Sequence, residues 1–227
     1  TTWSALLRAA QARAPAHIEA LDAELLLAHA LGRTRVGLYA RLSDPVDPPI
    51  AARFEAFWRR RCQGEPYAYL VGEREFYGRM YAVAPGVLIP RADTETLLEA
   101  ALARWPLTQH GTVVDAGTGS GALAVSFQLE RPSASVYALD RSAESLRIAQ
   151  ANARRLRAPV RFWCGDWLGA LADGLGADME RLKRFKTVLS TTAANIAPMQ
   201  GEYLGSAHPH LLFVERSPQI ADAVEQR

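Results

Sequence analysis

From Thr112 to Glu215 short apolar runs alternate with segments of helical period, and this alternation constrains the fold more than any other feature of the 227-residue chain. Thr112–Asp115, Ser135–Asp140, Val160–Cys164, Phe185–Ser190 and His210–Glu215 read as strands. Gly121–Glu130, Ser142–Leu156 and a closing segment, Ser217–Gln226, carry helical spacing. Strands separated by helices build a parallel sheet wrapped by those helices, and ligands of such sheets gather at the carboxyl ends of the strands. Residues just after each strand are therefore the informative ones.

The chain begins differently. Leu6, Leu7 and Ala10, then Leu21, Leu25, Leu26, Ala28 and Leu31, recur at three- and four-residue steps, the period of helices with one buried face. Pro15 separates the first two helices, Gly32 ends the second, and the run Ser43–Pro49 forces a turn before a third, Ile50–Cys62. Residues 1–63 thus read as a small helical domain. Residues 64–92, punctuated by Gly64, Pro66, Gly72, Gly78, Pro85, Gly86 and Pro90, read as a hairpin and linker. A helix follows from Asp93 to about Trp105, and the α/β domain is assigned to 93–227.

Composition excludes several classes. With 49% hydrophobic and 22% charged residues the chain lies in the globular range. The 26 Lys and Arg against 24 Asp and Glu leave a charge of +2, too small for a protein that coats phosphate. No run approaches the roughly 18 apolar residues of a membrane helix, and the first residues, with Arg8 and Arg13 in an amphipathic pattern, do not read as an export signal. Cys62 and Cys164 give neither a disulfide framework nor a metal-type spacing, which favours a reducing, cytoplasmic compartment. His17, His29, His110, His208 and His210 form no spaced pair with carboxylates, so no metal is expected.

Three strand ends carry chemistry. After the first comes Asp115-Ala-Gly117-Thr118-Gly119-Ser120-Gly121, a glycine-rich turn that lets the main chain approach a ligand and opens a helix whose free N–H groups suit a carboxylate or phosphate. It is one residue short of the dinucleotide fingerprint. The bland alternative is a tight strand-to-helix turn. The second strand ends at Asp140, nineteen residues after Gly121, where an acid can accept two hydrogen bonds from a ribose diol. The third is followed by Gly165-Asp166-Trp167, with a carboxylate for an adenine amino group and an indole to pack on the ring, or else a helix cap and a core aromatic. Together the three ends point to S-adenosylmethionine, which carries an amino-acid carboxylate but no pyrophosphate. Asp115 can serve the positive part of its methionine moiety, or orient the loop by accepting N–H groups.

Five segments in order sharpen this reading: Gly64-Glu-Pro-Tyr-Ala-Tyr-Leu70, Gly72-Glu-Arg-Glu-Phe-Tyr-Gly78, Val87-Leu-Ile-Pro-Arg-Ala-Asp-Thr-Glu95, Asp115–Gly121 and Gly165-Asp-Trp167. In these the chain resembles the release-factor glutamine methyltransferases, the HemK/PrmC family. The resemblance implies a Rossmann-like S-adenosylmethionine-dependent methyltransferase sheet with a small N-terminal helical domain. It implies methyl transfer to the side-chain amide nitrogen of Gln in the Gly-Gly-Gln motif of peptide chain release factors, with Asp115, Gly117, Thr118, Gly119, Ser120, Gly121, Asp140, Asp166 and Trp167 at cofactor-binding positions. The helical domain then helps to hold the release factor, and Arg91 and Glu95 either contact substrate or pair to fix the linker.

Two departures stand against the family pattern. The family carries Asn-Pro-Pro-Tyr after the fourth strand, where accepting both amide hydrogens and aiming the nitrogen compensates for a delocalised, poorly nucleophilic lone pair. Here the segment reads Ser190-Thr-Thr-Ala-Ala-Asn-Ile-Ala-Pro198. In one register Thr192 falls at the Asn position and Asn195 at the Tyr position, in the other Thr191 takes the Asn place; neither restores the motif, no catalytic residue is carried over, and Thr192 and Asn195 stand as substitutes to be tested. Second, the fold resembled finishes with a further pair of strands, so the sheet is expected to be truncated at its C-terminal end, with Ala172–Arg184 a longer connection than the fold needs. These departures keep two other functions open: a cofactor- or release-factor-binding protein without turnover, and a methyltransferase acting on exocyclic amines of nucleic acids. The near-neutral charge counts against direct nucleic-acid binding.

Overall fold

A computed structural model describes residues 1–165 and the backbone of strands 185–190 and 212–215. The chain divides into two compact units, Thr1–Glu73 and Arg74–Arg227.

The first unit is helical: α1 (Trp3–Ala12), α2 (Ala20–Ala30), α3 (Arg35–Tyr39), α4 (Pro48–Cys62) and α5 (Tyr67–Val71). Local chemistry sets their starts. Thr2, Thr34 and Asp47 each accept a backbone N–H three residues on, and Pro48 and Pro49 open α4, where a missing N–H costs nothing. Gly32 follows the last turn of α2 at φ +63°, the conformation that lets a chain leave a helix. The buried faces meet in a core of Trp3, Leu7, Leu26, Leu27, Leu38, Phe54 and Trp58, with Phe54 and Trp58 stacked at 6.3 Å. α3 and α5 are additions to the sequence reading. At five residues each they are too short to display a period, and they persist because Leu38, Ala68 and Leu70 are buried. Leu70 joins this core, so the compact unit takes in a segment that the sequence placed with the linker.

The second unit opens with a hairpin of β1 (Glu73–Phe76) and β2 (Arg79–Ala82), the division falling just inside β1. Tyr77 and Gly78 turn it with φ values of +49° and +70°, the two positive angles that a two-residue hairpin of the right twist requires. Next come α6 (Ala92–Arg104), β3 (Gly111–Ala116), α7 (Ala122–Glu130), β4 (Ala134–Asp140), α8 (Ala143–Leu156), β5 (Arg161–Cys164), β6 (Phe185–Ser190) and β7 (Leu212–Glu215). The sheet runs β5-β4-β3-β6-β7. Its first four strands are parallel, as expected. β7 is not: it pairs antiparallel to β6, with Thr187 opposite Glu215 and Ser190 opposite Leu212. It therefore starts at the end of the sheet where β6 finishes and needs no crossover.

Alternate residues of β3 and β4 face α6, α7 and α8. Val113, Val136 and Ala138 pack there with Leu98, Trp105, Leu123 and Phe127, and Trp105 meets Phe127 edge to face at 5.8 Å. Gln128 shows why a polar residue sits in this layer. It is 2% exposed, donates to the carbonyl of Ala134 at 3.1 Å and accepts the N–H of Val136 at 3.3 Å, closing the entry to β4. The expected closing helix 217–226 and the connection 172–184 lie outside the described residues. Among those described, no helix is long and apolar enough to cross a membrane.

Phe54 is fully enclosed and anchors the first unit. Phe54→Ala is expected to lower stability by about 3–5 kcal/mol, read from chemical denaturation followed by Trp fluorescence. A loss below about 1 kcal/mol would mean that this core collapses around the cavity.

Candidate functional site

The carboxyl ends of β3 and β4 hold the candidate site. β3 delivers Asp115, 1% exposed, and the chain then turns through Gly117–Gly121 into α7. The N–H groups of Gly117 and Thr118 both donate to the carbonyl of Leu139 at 2.9 Å, which pins the turn to the end of β4. One residue on, Asp140 accepts the N–H of Gly119 at 2.9 Å on one carboxylate oxygen and that of Ser142 at 2.9 Å on the other. The turn is thus strung between two neighbouring strands, and Asp140 remains half-buried with lone pairs to spare.

Gly121 is required twice. Its φ of +81° is left-handed, and a Cβ added there would lie 3.0 Å from Cβ and 3.2 Å from Cα of Ala149 on α8. Gly119, at φ +54°, has nothing within 4 Å of where a Cβ would stand, so the space beside it is open to a ligand. A pocket of about 40 Å³, roughly enough for one or two waters, borders the turn. Its walls include Arg91 and Thr94 from the start of α6 and Ala122 and Leu123 from the start of α7. Neither helix has a side-chain cap at its N-cap residue. Two positive helix ends therefore converge on one pocket, a setting suited to a carboxylate.

Asp115 plays an internal part. Its Oδ2 accepts the Thr118 hydroxyl at 2.7 Å and the Ala124 N–H at 3.2 Å. Complete burial pushes its carboxyl up to about 7, against the pull of these two hydrogen bonds and with a smaller push from the Asp140 charge. Between pH 4 and 7 the folded chain therefore holds a proton that the unfolded chain releases.

The sequence candidates divide cleanly. Asp115, Gly117, Thr118, Gly119, Ser120, Gly121 and Asp140 come together at one place. The N–H of Gly165 donates to the carbonyl of Asp140 at 3.1 Å, bringing the end of β5 to the end of β4. Asp166 and Trp167, which follow, lie outside the described residues, as do Thr192 and Asn195. Glu95 accepts the N–H of Tyr77 at 2.9 Å, and no Arg91–Glu95 ion pair occurs among the described residues. Of the two alternatives, the ion pair is therefore not formed, and Glu95 instead holds the hairpin turn, where the backbone N–H needs an acceptor. The Val87–Glu95 segment, quoted above among the motifs of the resemblance, supplies Leu88, Ile89, Pro90, Arg91 and Thr94 to the same pocket.

Residues 107–212 match the family model described as a methyltransferase domain, and an α/β domain with a glycine turn between β3 and α7 and an acid closing the next strand is in keeping with that class. Residues 3–72 match the PrmC N-terminal domain. A release factor glutamine methyltransferase of Burkholderia pseudomallei (strain K96243) is 42% identical over 217 residues, 93% of this chain and 70% of that protein. Those of Bordetella pertussis and Escherichia coli (strain K12) are 50% and 41% identical, over 66% of this chain in each case and 56% and 54% of their own lengths. The chain belongs to the release factor glutamine methyltransferase family, and it spans little more than half the length of several of its relatives. Among solved structures, a methyltransferase from Geobacter sulfurreducens aligns with a TM-score of 0.40 and 18% identity over 80% of this chain and 95% of that one.

Two measurements check the site's construction. Gly121→Ala should cost about 2 kcal/mol or more, since left-handed strain and the contact with Ala149 act together. An unchanged denaturation midpoint would show that α7 and α8 can separate freely. The raised Asp115 carboxyl makes stability highest at acid pH and lowers it as pH rises through the window from about 4 to about 7. Asp115→Asn should flatten that part of the pH–stability curve, and an unaltered slope would assign it to other groups.

Proposed function

We propose that this chain binds S-adenosylmethionine at the Gly117–Gly121 turn and transfers its methyl group to the side-chain amide nitrogen of Gln in the Gly-Gly-Gln motif of peptide chain release factors. The observation that carries the reading is the linkage of Gly119 N–H to the Asp140 carboxylate, with open space beside Gly119 and two helix N-termini facing the pocket. A group with a free carboxylate at one end and a ribose diol at the other fits that arrangement. The carboxylate would meet the starts of α6 and α7, and the diol would meet the lone pairs that Asp140 has left. Asp166 and Trp167 would follow the adenine, as the family motif implies.

When bound, the cofactor supplies a methyl group on a positively charged sulfur, ready for displacement. The chain's own contribution is placement. Asp115, through Thr118 and Ala124, fixes the turn to α7, while Asp140 fixes it to β4. An amide nitrogen is a weak nucleophile, so the acceptor side must hold both of its hydrogens and aim it. Thr192 and Asn195 are the candidates for that work. The helical segment 1–63 is assigned to holding the release factor, 64–92 to the hairpin and linker, and 93–227 to methyl transfer, in the cytoplasm where release factors act.

The absence of Asn-Pro-Pro-Tyr after Ser190 favours one second reading, in which the chain binds the cofactor or the release factor without turnover. Calorimetry with S-adenosylmethionine, followed by methyl transfer to a purified release factor and to DNA, separates these readings. Binding with transfer to the release factor supports the proposal, binding without transfer supports the second reading, and transfer to DNA alone overturns the assigned substrate. Asp140→Ala should weaken cofactor binding about tenfold or more through loss of the ribose contact and of the Gly119 anchor. An unchanged affinity would remove Asp140 from the site.

A further inference from the structure

Asn152 sits near the middle of α8, where a polar side chain ordinarily faces water, yet it is fully buried. Its Nδ2 donates to the carbonyl of Ser120 at 2.9 Å and to that of Ala82 at 3.0 Å. Its Oδ1 accepts the Ala82 N–H at 2.8 Å and the Arg155 guanidinium at 3.2 Å. Two donors and two acceptor sites are all used, which is the full capacity of a carboxamide. The amide can point only one way, because the reverse orientation would set its NH₂ against the Ala82 N–H and the guanidinium.

The partners matter more than the count. Ala82 is the last residue of β2, and Ser120 lies within the glycine turn, just before Gly121. Toward Ala82 the carboxamide behaves as a neighbouring strand would, exchanging both an N–H and a carbonyl with one residue. Toward Ser120 it holds the carbonyl midway between Gly119, whose N–H is on Asp140, and Gly121, which opens α7. Ala149, one turn earlier on α8, already fixes the approach of Gly121. The same face of α8 therefore backs the turn by contact at Ala149 and by hydrogen bond at Asn152. Arg155, a turn further on, adds a bond to the carbonyl of Met80 in β2.

We propose that Asn152 is a positioning residue that couples the β1–β2 hairpin to the glycine turn, so that an ordered hairpin tightens the turn's hold on its ligand. The inference rests on the reading of that turn as the S-adenosylmethionine site only for the identity of the ligand. The coupling itself belongs to the fold. Because it is an equilibrium coupling, ligand on the turn must order the hairpin to the same degree that the hairpin favours the ligand.

A double-mutant cycle tests it. Asn152→Asp keeps an acceptor for the Ala82 N–H but loses both donations. Ala82→Pro removes the Ala82 N–H, and its ring Cδ, standing where that hydrogen pointed, displaces the Asn152 carboxamide from Ala82 with no substitution at Asn152 itself. The N–H and carbonyl of one strand residue point to the same side, so Ala82, turned toward Asn152, gives up no bond to β1. Calorimetry with S-adenosylmethionine should show affinity about tenfold weaker for Asn152→Asp and about threefold weaker for Ala82→Pro. The double variant should be no weaker than Asn152→Asp alone. Effects that multiply, or an Ala82→Pro affinity equal to wild type, would overturn the coupling.

Amide hydrogen exchange of the unliganded protein supplies a readout independent of the ligand. Amides 117–121 should exchange faster in both variants while those of 97–102 in α6 keep their wild-type rates. A turn unaffected by Ala82→Pro overturns the proposal, and general loss of protection in Asn152→Asp leaves the decision to Ala82→Pro. If wild-type protein fails to bind S-adenosylmethionine while the exchange coupling holds, the cofactor reading falls and the positioning role stands.

Discussion

The close approach of α7 to α8 at Gly121 is the contact on which the rest of the candidate site depends. A hydrogen in place of a side chain lets Ala149 stand 3.0 Å from the point that a Cβ would occupy. With α8 this near, its next inward-facing residue, Asn152, reaches the carbonyl of Ser120. The turn is then held from behind by α8, from one side by Asp140, and from within by Asp115. Three anchors on a five-residue turn leave little freedom to lose when a ligand arrives, and low reorganisation is what preorganised binding requires.

The two acids of the site show how environment divides labour between identical groups. Asp115 lies inside, bonded to a hydroxyl and a helix N–H, and burial holds its carboxyl well above the ordinary range, at about 7. Such a group organises the backbone and is poorly placed to meet solvent. Asp140 ends its strand half in water, with each oxygen taking one backbone N–H and keeping further capacity. Only the second arrangement leaves an acid free to receive a ligand's hydroxyls while its own geometry is already fixed.

Much of this was legible in the sequence, and what was not has a physical reason. Strands β3 and β4 showed as apolar runs because successive residues, which point to opposite faces, are nearly all buried, and the glycine turn showed because positive φ leaves glycine as the usual choice. The five-residue helices α3 and α5 were invisible, since less than two turns display no period. The direction of β7 was equally hidden. A four-residue apolar strand looks the same whichever way it enters a sheet. Asn152 was overlooked for a different reason. In Gln-Ala-Asn-Ala-Arg-Arg it reads as one more polar residue on a solvated helix, and its partners lie 32 and 70 positions away. The lesson is specific: glycines and alternation reveal where a site is, whereas the side chains that hold it rigid are read only from tertiary contacts.

The same division separates the proposed cofactor side from the proposed acceptor side. The turn, Asp140 and the helix starts are built from regular elements whose geometry is fixed by packing, so a short motif suffices to place them. In the proposed reaction the acceptor amide falls instead to the residues after Ser190, which lie outside the described residues. Two prolines would restrict that backbone before any substrate arrived, and Ser190–Pro198 has a single proline at its far end. Any backbone that lacks such restriction loses more entropy when a substrate orders it, and that draws on binding energy that could otherwise favour the transition state. The proposed donor side is thus fixed by packing between regular elements, whereas in the family's pattern the acceptor side is fixed by the local chemistry of two prolines.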